Sequence, residues 1–356
     1  MSRMNYLRTG RARRAAFGLR SATILLTATL AAAACSTTSS AGGGSANGAS
    51  AKVYTARASI LQAPGTQEYN YFKAFADMAA KLSGNRIVFK LYPNSVLGTQ
   101  DASVGQLQAD TVQFVDDTYT AADTLVPNTD LMTLPGIWTS AGQFTRAWNG
   151  GQLGDLVNKE LEAKGVVGLG AAYLGNQDIA AKKPITSVAD MSGLKIRVLT
   201  GPYLALAAKH LGMTAVNVSV SELVTSVGTG LINSVAQATS TLYSSKRYQL
   251  FKYVARARFY PANIGILASA KFYNSLPADL QKDLMKAGYA VSDKLSAGAD
   301  QADNEAVTLL QKAGLTVTTL PAGQQALMAS KIAQPVFALW KQNNGATALN
   351  LALNQK

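Results

Sequence analysis

From residue 52 onward, apolar positions recur at two spacings that alternate along the chain. Residues 53–60 open on the β-branched and aromatic run Val53-Tyr54-Thr55, close on Ile60 and predict a strand. Residues 68–83 place Tyr69, Phe72, Phe75, Ala76, Ala79 and Leu82 on one helical face, and Ser83-Gly84 closes that helix. A strand over 86–92 ending at Pro93, a helix over 100–109 and a strand over 112–115 complete a first block. A second block follows, with strands at 166–172, 194–199, 215–218, 234–237 and 265–270 around helices at 203–211 and 222–229. Pro277 opens a helical stretch to about 313, crossed only by glycines that a helix tolerates; a strand at 315–319 and a helix to about Trp340 finish the pattern. Strands alternating with helices imply parallel pairing and the α/β class. Two such blocks suggest two lobes, and open α/β sheets bind solutes beyond the carboxyl ends of their strands or between domains.

The first 35 residues do not follow this pattern and read as a targeting segment. Six arginines precede residue 21 with no acidic residue among them, and residues 21–34 form an uncharged stretch rich in Ala, Leu and Ile. Fourteen residues fall short of the roughly 20 that span a bilayer. Ala32-Ala33-Ala34 then precede Cys35, the chain's one cysteine, in an arrangement that resembles a bacterial lipobox with Ala32 where leucine is usual. The expectation is a signal peptide of lipoprotein type over 1–35, with lipidation at Cys35; a cleaved signal with an incidental cysteine and an uncleaved anchor are the alternatives. Arg13-Arg14-Ala15-Ala16-Phe17 has the look of a twin-arginine signal but lacks the preceding Ser or Thr. Residues 36–51, almost entirely Ser, Thr, Gly, Ala and Asn, predict a flexible tether reaching about 20–25 Å. This describes an exported protein, lipid-anchored at the cell membrane and facing the periplasm or cell exterior, whose folded domain covers 52–356.

Charge and rare residues narrow the chemistry. The formal charge of +13 falls to +7 once the six leader arginines are set aside, leaving 27 basic against 20 acidic residues. No run of Lys and Arg marks a nucleic-acid stripe. A single cysteine rules out an internal disulfide and a cysteine-based zinc site, and no metal-ligand spacing or phosphate-cradling glycine loop indicates a cofactor. The one histidine, His210, lies beside Lys209 at the end of an Ala/Leu-rich helix, which fits a solvated helix end better than a catalytic base. Paired carboxylates remain for hydrolytic chemistry, but Asp116 and Asp117 are adjacent, and neighbours on an extended chain point oppositely.

Between Tyr92 and Tyr253 a series of short motifs occurs in a specific order. It runs through Tyr92-Pro93-Asn94-Ser95-Val96-Leu97-Gly98, Leu131-Met132-Thr133-Leu134-Pro135 and Leu161-Glu162-Ala163-Lys164-Gly165-Val166. The most specific is Met191-Ser192-Gly193-Leu194-Lys195-Ile196-Arg197-Val198; Leu211-Gly212-Met213-Thr214-Ala215-Val216, Ser221-Glu222-Leu223 and Lys252-Tyr253 follow. The series resembles the solute receptors of tripartite ATP-independent periplasmic (TRAP) transporters, the DctP-like family. That resemblance implies a two-lobed periplasmic-binding-protein-like fold with a ligand cleft between lobes and a long connecting helix. Lobe one would hold 52–173 and 263–302, lobe two 174–262 and 303–356. It also implies a partnership with membrane permease subunits.

Arg197 stands on a strand where alternation sets Lys195 and Arg197 on one face. A guanidinium offers a rigid fork that matches a carboxylate, and in the resembling family this arginine clamps an organic acid; a structural salt bridge is the plainer alternative. Three departures from the family pattern bear on the ligand. Leu174-Gly175-Asn176-Gln177 places Gln177 where a second arginine is usual, Gln237 replaces a ligand-contacting asparagine, and Ile60-Leu61-Gln62-Ala63-Pro64 lacks the common histidine. One positive charge fewer favours a monocarboxylate, or a neutral polar solute, over a dicarboxylate or a sialic-acid-like ligand. Asn176 accompanies Gln177 as a contact candidate, while Trp138, Tyr173 and Tyr243 could wall the cleft or pack in the core. Asp116 and Asp117 could bind a ligand hydroxyl or lie in a solvated loop, and Glu222 reads as a helix cap. The expected function is capture of a small organic acid for a TRAP permease. A binding protein or surface sensor for a neutral polar solute is the alternative, and a secreted hydrolase a more distant one.

Overall fold

A computed structural model describes residues 52–117, 119–198 and 201–355. The expected signal peptide, Cys35 and the 36–51 tether lie outside the described residues. The strands are β1 (Tyr54–Ile60), β2 (Ile87–Tyr92), β3 (Phe114–Asp117), β4 (Val166–Ala181), β5 (Lys195–Arg197), β6 (Thr214–Val216), β7 (Ser234–Gln237), β8 (Tyr253–Ser269) and β9 (Thr316–Thr319). The helices before β7 are α1 (Gln67–Leu82), α2 (Gln100–Gln108), α3 (Ala141–Trp148), α4 (Gln152–Glu162), α5 (Pro202–His210) and α6 (Leu223–Gly228). After it come α7 (Thr239–Ser244), α8 (Ala270–Ser275), α9 (Ala278–Ala297), α10 (Ala299–Lys312), α11 (Ala322–Asn344) and α12 (Thr347–Leu353).

All nine strands join one sheet in the order β2-β1-β3-β8-β4-β7-β5-β6, with β9 beside β8. The parallel pairing expected from strand–helix alternation holds inside each block: β1 pairs in parallel with β2 and β3, and β5 with β6 and β7. What joins the blocks is antiparallel. β4 and β8, 16 and 17 residues long, pair along their length, while β3 lies antiparallel on one side of them and β7 on the other.

Both long strands exceed the predicted 166–172 and 265–270. In β4, Gly168, Gly170, Gly175 and Asn176 interrupt the apolar pattern; in β8, Arg256, Arg258 and Pro261 do the same. Pro261 sits opposite Asn176, beside the register shift between Tyr173 and Asn176, where the ladder is already irregular. A missing N–H therefore costs little there.

The expected single helix from 277 to 313 is two helices in tandem. Gly298 closes α9 and opens α10, its amide donating to the carbonyls of both Lys294 and Leu295. Just before it, the Ser296 hydroxyl donates to the Ser292 carbonyl at 2.7 Å and accepts the Tyr173 amide at 2.9 Å. A serine bonding back within its own helix favours a bend, and glycine tolerates it. α11 runs four residues past Trp340, through Pro335, to Asn344.

One apolar cluster lies under β1, β2 and β3, where Phe72, Phe75, Phe89 and Phe114 meet at centroid separations of 5.0–6.3 Å. Another packs Val235 and Val254 against Leu223, Leu242 and Leu310. The largest runs from Trp138 and Phe144 to Ile332 and Trp340 on α11. On the β8 side, Arg256 pairs with Asp303 of α10, which also accepts the Thr239 hydroxyl. Among the described residues no helix is long and apolar enough to cross a membrane.

Two expectations follow. A Cβ on Gly288 of α9 would meet the carbonyl carbon of Leu169 on β4 at 2.8 Å. Gly288→Ala should therefore cost about 1–3 kcal/mol and lower the melting temperature, as calorimetry would show. Burial pushes the Asp178 carboxyl up to about 7, against the Arg258 amide that bonds it at 2.9 Å. Between the ordinary carboxylate value near 4 and that raised one, the native state binds the proton more tightly than the unfolded chain. Asp178 thus weakens stability progressively as pH rises through this window. Asp178→Asn mimics the protonated form, so its stability relative to the parent should rise by a few kcal/mol between about pH 4.5 and about pH 8 in urea titrations.

Candidate functional site

The carboxyl ends of β1 and β3 on one side, and of β5 and β7 on the other, converge where β4 and β8 lose register. A cavity of about 80 Å³ lies there. Ligands in open α/β sheets bind at such strand ends.

From the β5–β7 side come two arginines. Arg197 is the last residue of β5 and is 8% exposed, and its Nε donates to the Val218 carbonyl at 3.1 Å. Burial lowers its pKa, against the raising influence of Tyr260 and Asp117. Arg247, on the 3₁₀ turn Arg247–Leu250, enters the same cavity, and its Nη2 donates to Gln62 Oε1 at 2.9 Å. Burial brings its pKa down to about 10; Glu68 opposes that shift and the Arg197 charge adds to it. The sequence-based expectation of one cation fewer is therefore corrected: a second arginine arrives from a different segment. The preceding Lys246, with φ +58°, turns the chain sharply enough to aim it inward.

The β1–β3 side supplies carboxyls. Glu68 lies in the first turn of α1, its Oε1 accepting the Thr241 hydroxyl at 2.6 Å. Asp116 Oδ1 accepts the Leu61 amide at 2.7 Å; burial lifts this carboxyl well above the carboxylate range, and Asp117 and Glu68 add to the rise. Asp117 accepts from Gln100 at 2.9 Å and from Ser103 at 3.2 Å. Both aspartates are buried at the end of β3, so the solvated-loop alternative does not hold.

Three amides complete the lining. Gln177 comes from β4, Gln237 ends β7, and Asn263 of β8 donates to the Met132 carbonyl at 3.1 Å. Five buried oxygens in this cavity have no protein donor: Glu68 Oε2, Asp116 Oδ2, Gln177 Oε1, Gln237 Oε1 and Asn263 Oδ1.

Arg197, Gln177 and Gln237 are thus brought together, and the other candidates are not. Asn176 immediately precedes Gln177 on β4, and successive strand residues face opposite ways. It lines a second cavity of about 350 Å³ with Trp138, Met328 and Ile332. Trp138 donates from its indole to the Leu131 carbonyl at 2.8 Å and packs on Phe144 and Trp148. Tyr173 is buried against Phe144, its hydroxyl accepting from Asn176 at 3.0 Å. Tyr243 stacks on Tyr248 away from the cavity. Glu222 occupies the first position before α6 but makes no capping bond, accepting instead the Ser219 hydroxyl at 2.6 Å. Glu68, Arg247 and Asn263 were not anticipated: Glu68 reads as an ordinary first-turn acid, Arg247 as surface charge beside Lys246, and Asn263 lies in a strand obscured by Pro261.

The family model for bacterial extracellular solute-binding protein, family 7 (DctP), matches residues 58–343. The C4-dicarboxylate-binding periplasmic protein DctP of Rhodobacter capsulatus is 24% identical over 75% of this chain and 80% of its own length. The sialic acid-binding periplasmic protein SiaP of Vibrio cholerae is 26% identical over 77% and 84%. A TRAP periplasmic solute binding protein from Desulfovibrio salexigens, solved with bound orotic acid, superposes with a TM-score of 0.79. It covers 85% of this chain and 98% of its own at 22% identity.

Proposed function

The chain belongs to the family 7 bacterial extracellular solute-binding proteins, and from that membership we propose that it captures a small organic acid, a monocarboxylate, for the membrane permease subunits of a TRAP-type transporter. The family consists of solute-binding proteins rather than enzymes. One observation carries the choice of an anion: Arg197 and Arg247, from separate segments, line one cavity, and the Arg197 charge lowers the pKa of Arg247. Two buried guanidinium groups favour an anion within hydrogen-bonding reach, and among the described residues neither forms an ion pair with Glu68 or Asp116 across the cavity. A neutral polar solute would provide no anion. The related proteins named for C4-dicarboxylates and sialic acid, and the neighbour holding orotic acid, point to the same acidic class.

A single carboxylate fits better than two. Glu68, Asp116 and Asp117 line the other side of the cavity, so a second ligand carboxylate would face like charge. Arg197 then anchors the carboxylate by charge-assisted hydrogen bonds, Arg247 supports it, and Gln177 and Gln237 take part in binding. Trp138, Tyr173 and Asn176 act through packing. Lobes 52–173 with 263–302, and 174–262 with 303–356, close about the β4–β8 crossing near Gly175, whose φ of +93° suits a bend. Lipid on Cys35 and the 36–51 tether hold the receptor near its permease.

Titration calorimetry with a panel of mono- and dicarboxylates tests the site. Removing one partner of a buried charged contact typically costs 2–5 kcal/mol, so Arg197→Ala should weaken the best acid by about 30-fold or more. Parent-like affinity in that variant would reject the anchor. For the membrane attachment, intact-mass measurement of the membrane fraction should show a diacylglycerol-modified N-terminus at Cys35, and Cys35→Ala should leave the receptor soluble. An unmodified mature N-terminus removes the anchoring and leaves the binding assignment standing.

A further inference from the structure

The carboxylate site accounts for the arginines but leaves the opposite side of the cavity without a role. Its charge is arranged by topology. Arg197 and Arg247 come from the β5–β7 side of the β8–β4 pair, whereas Glu68, Asp116 and Asp117 come from the β1–β3 side. Among the described residues no ion pair within 4.0 Å joins Arg197 or Arg247 to Glu68 or Asp116, although all four line one cavity. Buried charges are ordinarily paired or hydrogen-bonded, so charges left apart in one cavity leave room for a solute between them.

The hydrogen-bond inventory points the same way. Among the described residues, the five buried oxygens without a partner in this cavity belong to two carboxyl and three amide groups, and the amide oxygens can only accept. Four of the five residues, Glu68, Asp116, Gln237 and Asn263, are less than a tenth exposed. An apolar ligand end would bury these acceptors unpaired, at a cost of about 1–3 kcal/mol each. A hydroxyl brings a single donor and no charge. An ammonium brings three donors and a positive charge, and an amidinium several donors with the same charge.

Building on the receptor reading above, we propose that the cleft selects a zwitterion: a carboxylic acid whose other end carries a cationic nitrogen, received by Glu68 and Asp116 while Arg197 and Arg247 hold the carboxylate. Asn263 and Gln237 accept further N–H groups of that cation. Asp116, raised by burial beside two other carboxyls, regains its charge when a cation sits against it.

Matched series separate the two readings. Propanoate, 3-hydroxypropanoate and 3-aminopropanoate, the corresponding butanoates, and the common amino acids with their hydroxy and deamino counterparts would be screened by thermal shift and then titrated by calorimetry. The amino member of the best-bound series should bind about tenfold or more tighter than its hydroxy and unsubstituted relatives. Glu68→Gln should erase that ratio, read as the amino-to-unsubstituted affinity ratio within each protein, with Asp116→Asn as an independent second variant. Preference for the hydroxy or unsubstituted members overturns the zwitterion and leaves the organic-acid receptor intact. A ratio that survives in both variants overturns the role of the acidic side. No binding by any member overturns this inference and the receptor reading together.

Discussion

The antiparallel ladder between β4 and β8 is the one pairing that both blocks of parallel strands depend on. It begins at Val166 opposite Ser269 and ends at Ala181 opposite Tyr253, so one end lies among β1, β2 and β3 and the other beside β7, β5 and β6. Each block alone is a small parallel sheet with an open edge, a poor unit by itself. Two strands of this length remove both edges at once. They also set the geometry of everything attached to them, because β3 and β7 take their register from β8 and β4 directly.

The ladder is regular where it supports a block and irregular between them. The shift from Tyr173 to Asn176 falls where Gly175 has positive φ and Pro261 lacks an amide, and it is there that Gln177 and Asn263 turn toward the cavity. Irregular backbone at this point has two consequences. It releases side chains from the strict alternation that would hide them in the core, and it concentrates bending at a place the two blocks share. The carboxyl ends of the flanking strands then deliver Asp116, Arg197 and Gln237 to the same spot. Buried charges and unpaired acceptors gathered in this way work against stability, a common feature of binding sites.

The regular part of this arrangement was legible in the sequence. Residues 53–60 open on a β-branched and aromatic run and 68–83 carry a clean periodicity of 3.6, and β1 and α1 form within a residue or two of those bounds. The long strands were legible only in their apolar halves, since the glycines and Pro261 that make the crossing also break its pattern. The tandem α9–α10 pair read as one helix because Gly298 costs little in periodicity, while the bonds of Ser296 that accompany the bend depend on tertiary contact with Tyr173. The site divided in the same way. Arg197 sits in a distinctive motif on a strand, so its position was readable. Arg247 reaches the cavity from a four-residue 3₁₀ turn, an element with no periodic signature, and the residues expected to stand near Gln177, namely Asn176 and Tyr173, are turned elsewhere by strand parity and the bulge. Topology, which short-range pattern does not encode, decided each of these.

That topology also constrains how capture and closure can be coupled. A ligand shifts a conformational equilibrium only by its difference in affinity between the two states. A solute held by the arginines alone contacts the β5–β7 side in any arrangement of the halves and has little such difference. A solute bound at both ends touches Arg197 on one side and Glu68 on the other, and it can do so only when the two sides approach across the β4–β8 crossing. If the proposed zwitterion is the solute, separating positive from negative groups onto opposite sides of one ladder would make the same feature serve recognition and closure. The charges that would pair directly in a structural bridge would then be joined by the solute instead, and its binding energy would favour the closed arrangement.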